Sequence, residues 1–177
     1  SNYVMLELGQ PLHFYDADKL NNMIEVRMAT EGEKLTTLDN IERVLTTNDI
    51  VISDGKEAIG LAGVMGGAST EINENTKNVV IESAIFNPYN IRKTSNSILR
   101  SEASIRFEKG LDVNRTYMAV ERACVMLEKY AQGEVCDGVI EYNTLSREDK
   151  VIEISLDKIN SVLGQQLSSD DVKLVFK

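Results

Sequence analysis

Two residues of this sequence have both the type and the surroundings to do chemistry: Glu82 and His13. Glu82 sits inside the apolar run Val79-Val80-Ile81-Glu82-Ser83-Ala84-Ile85. A carboxylate there needs a donor or an open cleft, because burying it unpaired is costly. Upstream, the stretch from Gly60 to Ala68 packs four glycines and two alanines into nine residues, and small residues let a backbone approach something closely. Together they read as the floor of a pocket with Glu82 as its polar reader. Gly63, Gly66 and Gly67 would serve equally to bend a strand or form bulges, and their spacing matches neither the phosphate-loop nor the dinucleotide fingerprint. His13 is the single histidine and follows the Gly9-Gln10-Pro11 corner. It is either a structural hydrogen-bonder or a rigidly held orienting group.

The elements that must position these residues are legible from periodicity and punctuation. Asn2–Leu8 reads as a short helix stopped by Gly9 and Pro11, with a strand at Leu12–Tyr15 leaving it. Short period-two segments follow at Ile24–Met28, Thr36–Asp39, Arg43–Leu45 and Ile50–Ser53, an antiparallel meander with turns at Asp39-Asn40, Asn48-Asp49 and Asp54-Gly55. Longer apolar strands at Ala58–Met65 and Val79–Ile85 flank the glycine cluster. Pro88 opens a helix to about Ser97, Ser101 opens another through Glu108, and Asp112 or Asn114 caps a long amphipathic helix that Gly133 stops. Val135–Tyr142 reads as a strand able to close the sheet. The polar stretch 143–150 is a linker, and beyond it a strand at Val151–Ile154, a helix at Leu156–Leu163 and a further helix after Ser168 begin a second domain too small for its own core. The expected class is α+β: a mixed, largely antiparallel sheet with helices packed on it. The domains are 1–142, a linker 143–150, and the truncated unit 151–177.

Composition narrows the function. At 177 residues with 42% apolar and 27% charged residues, the chain has the makeup of a soluble globular protein able to bury a core. It has no run long enough to span a membrane and no signal pattern, so a cytoplasmic location is expected. Cys124, Cys136 and one histidine are too few for a tetrahedral metal site; no metal is expected, and the cysteines read as buried free thiols. The net charge of -9 argues against independent nucleic-acid binding. Yet the segment from Arg92 to Arg122 has seven basic residues against four acidic. It is either a phosphate-facing patch, with Arg92, Lys93, Arg100 and Arg106 as candidate RNA contacts, or a set of helix-surface charges paired with acidic neighbours. The lack of an initiating methionine and an end within an apolar-periodic segment point to an excised piece, with Ser1 and Asn2 as candidate tag residues.

Four strings carry a specific resemblance: Asn2 to His13 (Asn-Tyr-Val-Met-Leu-Glu-Leu-Gly-Gln-Pro-Leu-His), Gly60 to Gly67 (Gly-Leu-Ala-Gly-Val-Met-Gly-Gly), Ile91 to Ser95 (Ile-Arg-Lys-Thr-Ser) and Leu99 to Asp112. In this order they resemble the β subunits of bacterial phenylalanyl-tRNA synthetases, over the B3/B4 module from Asn2 to Tyr142, with the tail from Val151 similar to the start of a B5 domain. The chain differs in having Ser1 where the family usually has Thr, and His13-Phe14-Tyr15-Asp16 where it usually reads His-Ala-Phe-Asp. The resemblance implies an editing fold that hydrolyses tyrosine wrongly attached to tRNA(Phe). It implies Glu82 as the acceptor for the tyrosine hydroxyl, Gly63 and Ala84 beside the substrate, Ser1 as a further substrate-binding residue, and Asn2 and His13 as polar residues of one wall. His13 and Asn2 would orient water or the terminal ribose, with backbone N–H groups near Gly63–Gly67 as oxyanion donors. No cofactor is implied for this piece; ATP and Mg2+ belong to the whole ligase, whose aminoacylation resides in the α subunit of an (αβ)2 heterotetramer. The partners implied are that subunit and tRNA(Phe) carrying tyrosine or phenylalanine, with no DNA and no membrane. The alternative is a non-catalytic, tRNA-contacting structural module.

Overall fold

Caps and turns set most of the boundaries. The computed structural model describes residues 1–145 and 151–176 and divides into two units, 1–143 and 144–177. In the first, helix α1 (Asn2–Leu8) ends on Gly9, whose φ of 75° lets its N–H reach the Met5 carbonyl. Strand β1 (His13–Asp16) follows. Then come β2 (Glu25–Met28), β3 (Lys34–Thr36), β4 (Glu42–Val44), β5 (Ile50–Ser53), β6 (Ala58–Leu61), β7 (Met65–Gly66) and β8 (Val79–Glu82). Three helices complete the unit: α2 (Pro88–Ser97), α3 (Glu102–Phe107) and α4 (Asn114–Ala131). Asn87 caps α2 with Pro88 in its first turn, and Ser101 and Ser104 close a reciprocal capping box on α3.

Every described strand pair is antiparallel, and the strands form three sheets rather than one meander. These are β1-β8, β2-β5-β6-β7 and β3-β4. The α+β class holds. The core gathers Tyr15, Leu35, Leu45, Val51, Ile59, Leu61, Phe86, Ile91 and Phe107 from these sheets and from α2 and α3. A smaller cluster of Val4, Leu12, Ala119 and Ala123 seals α1 against α4, where Arg122 also forks onto Glu7 at 2.6 and 2.8 Å.

Several expectations change. The single strand at Ala58–Met65 is a hairpin, because Gly63 turns the chain at a φ of 67° between β6 and β7. Val135–Tyr142 and Val151–Ile154 are not strands. Their alternating apolar residues, such as Val139 and Ile152, are exposed. A period-two pattern makes a strand only where a neighbouring strand offers hydrogen bonds. The segment Thr36–Asp39 pairs two residues earlier, as Lys34–Thr36, and Asn40 takes a positive φ in the turn. Cys124 is half-buried and Cys136 exposed, so the thiols are free but not both buried.

The second unit holds α5 (Leu156–Leu163), capped by Ser155 and ended by left-handed Gly164, and α6 (Ser169–Val175), capped by the Ser168–Asp171 box. The Asn160 amide clasps both backbone groups of Leu167. None of the residues in these two helices is buried. Most of the expected linker, 146–150, lies outside the described residues.

One surface feature makes a pH prediction. Arg27 forks onto Glu33 at 2.9 and 2.7 Å, and that pair, with the Thr30 N–H, lowers the Glu33 carboxyl to about 2. Because the folded value lies below the unfolded one, this stabilisation is complete above about pH 4.5 and disappears as pH falls toward 2. Glu33→Gln should remove that part of the pH dependence. Parallel acid-unfolding curves should therefore separate above pH 4 and converge below pH 3, and curves separated equally at every pH would contradict it.

Candidate functional site

The site is built on the two-stranded sheet β1-β8. His13 stands directly opposite Glu82, and Tyr15 opposite Val80. Residues directly opposite share a face, as do residues two apart on one strand. His13, Tyr15 and Glu82 are therefore on one face, Tyr15 diagonal to Glu82. The Tyr15 hydroxyl donates to Glu82 Oε2, and its ring meets the His13 imidazole edge-on, centroids 4.5 Å apart at 78°. All three line a cavity of about 80 Å³ with Gly60, Gly63, Gly66, Ala103 and Phe107 among its walls.

Several local devices hold this face in place. Gln10, fully buried, spans from the end of α1 to the end of β8 by donating from Nε2 to the Ala84 carbonyl at 2.9 Å. That bond fixes the chain three residues before His13. Ser83 Oγ donates to the Thr116 carbonyl at 2.9 Å, tying β8 to α4. Ser101 Oγ donates to the Val64 carbonyl at 2.7 Å, fixing the β6-β7 turn to the start of α3. Gly66 carries the imidazole: a methyl built on it would overlap His13 Cε1 and Nε2. Gly67 is pressed in the same way on the Ile59 carbonyl.

The electrostatics follow from burial. Desolvation lowers the His13 imidazole to about 4, so the ring is neutral at physiological pH, and its buried Nε2 has no hydrogen-bond partner. Burial raises the Glu82 carboxyl, while the Tyr15 hydroxyl bond pulls it back down. Burial and the adjacent Glu82 charge raise the Tyr15 phenol far above its usual range. A neutral imidazole with a free ring nitrogen can orient a water or a hydroxyl, and a carboxyl with one oxygen engaged by Tyr15 keeps lone pairs for a second donor.

Of the residues singled out in the sequence, His13, Glu82 and Gly63 line one cavity. The Cα–Cβ direction of Gly63 points into the core, where a methyl would press on Ile91, Phe86 and Phe107, so what this residue offers the cavity is backbone. Ala84 packs on the core and lends its carbonyl to Gln10. Ser1 and Asn2 are exposed at the start of α1 and are not among the cavity residues. In the basic segment Arg100 pairs with Glu108, Arg106 with Glu102, and Lys93 donates to Asn48 Oδ1; Arg92 is exposed. Three of the segment's seven basic residues, Arg100, Arg106 and Arg122, thus pair with carboxylates. Among the described residues no cluster of His, Cys, Asp or Glu has the makings of a metal site.

Sequence reasoning missed Tyr15 and the pairing of Gly66 with His13. The first had a signal, since Tyr15 is two along from His13 on a strand and must share its face. The second had none, because which ring lies over which glycine is set by the sheet-to-sheet packing.

The model of the B3/4 domain matches residues 1–132. The chain is 50% identical to a Phenylalanine--tRNA ligase beta subunit of Staphylococcus aureus, 49% to one of Staphylococcus saprophyticus and 45% to one of Bacillus cereus. Each match covers 99% of this chain and 22% of the relative, so the chain spans about a fifth of the length of these relatives.

Proposed function

The chain belongs to the B3/4 domain family, and on that premise we propose that it is the editing site of a phenylalanine–tRNA ligase β subunit, hydrolysing tyrosine from mischarged tRNA(Phe). The observation that carries this reading is a half-buried carboxyl already bonded to a phenol hydroxyl, beside a neutral imidazole, at a glycine-walled cavity.

The physics favours a second site of this kind. Tyrosine is phenylalanine with one added hydroxyl, and an apolar synthetic pocket rejects an added hydroxyl by only about 100-fold. Correction therefore requires a site that selects for the hydroxyl. A tyrosine side chain satisfies the second lone-pair set of Glu82, whereas phenylalanine would bury it unpaired, at a cost of about 1–3 kcal/mol. His13 then orients the attacking water or the terminal ribose hydroxyl, and the Gly63 N–H is the turn's candidate donor for the developing oxyanion, those of Ala62 and Val64 being taken up by the Ile50 and Leu61 carbonyls. The whole ligase would supply ATP and Mg2+ chemistry, the α subunit and most of the tRNA contacts. A chain of net charge -9 is poorly suited to hold tRNA alone.

The test is a deacylation assay with this segment carried in an assembled ligase. His13→Ala should slow release of tyrosine and of phenylalanine by the same factor, about 100-fold for a lost orienting group. In the wild type the rate should not fall from pH 8 to pH 6, because a ring titrating near 4 stays neutral throughout. An unchanged rate in His13→Ala would remove His13 from the mechanism.

A further inference from the structure

The Glu82 carboxyl has a resident partner, and the proposed reaction as described makes no use of it. Tyr15 is 1% exposed, its ring is held edge-on by His13, and its hydroxyl lies above Gly60, where even a methyl would sit 3.7 Å away. Such a side chain is part of the core and stays in place. A cavity of about 80 Å³ has room for about three waters at their liquid volume of about 30 Å³ each, and Glu82 is among its walls. We propose that Tyr15 is a positioning residue for specificity: its hydroxyl, donated to one oxygen of Glu82, fixes that carboxylate as an acceptor whose remaining lone pairs receive the hydroxyl of a bound tyrosyl group.

Tyr15 reaches Glu82 across the diagonal of the β1-β8 pair, which leaves the direct cross-strand position to His13. Among the cavity residues the titratable side chains are His13, Tyr15 and Glu82 alone; those from β5, β6, the β6-β7 turn and α3 are glycine, alkyl, thioether or phenyl. No cation faces Glu82 from those elements, so the phenol is what stabilises its charge against burial. Without the phenol the carboxyl would take up a proton at higher pH. A neutral acid is far cheaper to bury opposite a phenyl ring than a carboxylate is, so selection against phenylalanine would weaken. Tyr15 itself remains a donor, because its own ionisation is pushed far up by burial and by Glu82.

This inference rests on the reading of the cavity as a tyrosine-selective editing site, and its test separates the two. The probes are the non-hydrolysable amides 3′-tyrosylamino- and 3′-phenylalanylamino-adenosine, titrated into the 177-residue chain across pH 5.5–9, with carbon-13 NMR of the Glu82 carboxyl alongside. In the wild type the tyrosyl probe should bind about tenfold or more tighter, the factor that one satisfied charged acceptor supplies. In Tyr15→Phe the Glu82 titration should move up, and the preference should fall to under about threefold at the acid end of that range and recover as pH rises. Glu82→Gln should show the reduced preference with no recovery, which a loss of packing alone would not reproduce. An unmoved Glu82 titration, or an unchanged preference in Tyr15→Phe, overturns the proposal. So does tighter tyrosyl binding by that variant, since it would make Tyr15 a competitor for Glu82. A wild type that binds both probes equally overturns the tyrosine-selective reading and the specificity role with it, while the NMR titration still reports whether Tyr15 sets the charge.

Discussion

Glu82→Ala is expected to lower the preference for tyrosyl over phenylalanyl ester by about 10- to 100-fold, the range that one satisfied buried acceptor supplies. The change acts on discrimination rather than on hydrolysis. Glu82 faces the cavity beside His13, and the role proposed for it is not a proton transfer but to be satisfied by one amino acid and left unpaired by the other. The rate on phenylalanyl-tRNA should therefore hold or rise while the rate on tyrosyl-tRNA falls. The substitution also has a defined effect on stability. Burial raises the folded-state carboxyl above its unfolded value, so the native state binds more protons through that range, and Glu82 costs stability as pH rises through it. Glu82→Gln, which keeps the size and an acceptor for Tyr15, should be at least as stable as wild type at pH 8. A tyrosine preference that survives in Glu82→Ala would show that another group reads the hydroxyl.

The second large effect belongs to Gly66→Ala. The His13 ring lies where the new methyl must go, overlapping Cε1 and Nε2, and the imidazole is gripped on its other side by Tyr15 at 4.5 Å. Either the ring or the β6-β7 hairpin has to move, and forced overpacking of this kind costs about 1–3 kcal/mol. For a unit of this size that is a fall in Tm of about 2–12 °C. Displacement of His13 should slow hydrolysis of both esters, as is expected of His13→Ala, leaving the preference expected from Glu82 intact. The double variant Gly66→Ala/His13→Ala should regain much of the lost stability, since it removes the clash. No regain in the double variant would mean that the cost of the methyl arises elsewhere.

The parts of this molecule that were legible in the sequence are those whose signals are local. The α1 stop at Gly9, the Asn87-Pro88 entry to α2, the Ser101 box on α3 and the Ser168 box on α6 each depend on a cap residue acting within one turn. The shared face of His13 and Glu82 was foreseen from the resemblance, and its physical basis is the β1-β8 register, which pairs strands 69 positions apart and which no local signal specifies. Where local pattern needed a distant partner, the reading failed: Val135–Tyr142 alternates like a strand but does not form one, and its apolar residues such as Val139 and Ile140 are exposed. The hairpin at Gly63 was hidden because an apolar run with one glycine looks alike as a strand or as two strands and a turn. Tyr15 was missed: it is core, and its hydroxyl is at the same time the partner of the one carboxyl among the cavity residues.

The most direct measurement is single-turnover deacylation of tyrosyl-tRNA(Phe) and phenylalanyl-tRNA(Phe), side by side, by an assembled ligase carrying this wild-type segment. The account predicts rapid release of tyrosine, with phenylalanine released at least about tenfold more slowly. Release of tyrosine no faster than in buffer, or equal release of both amino acids, would contradict it.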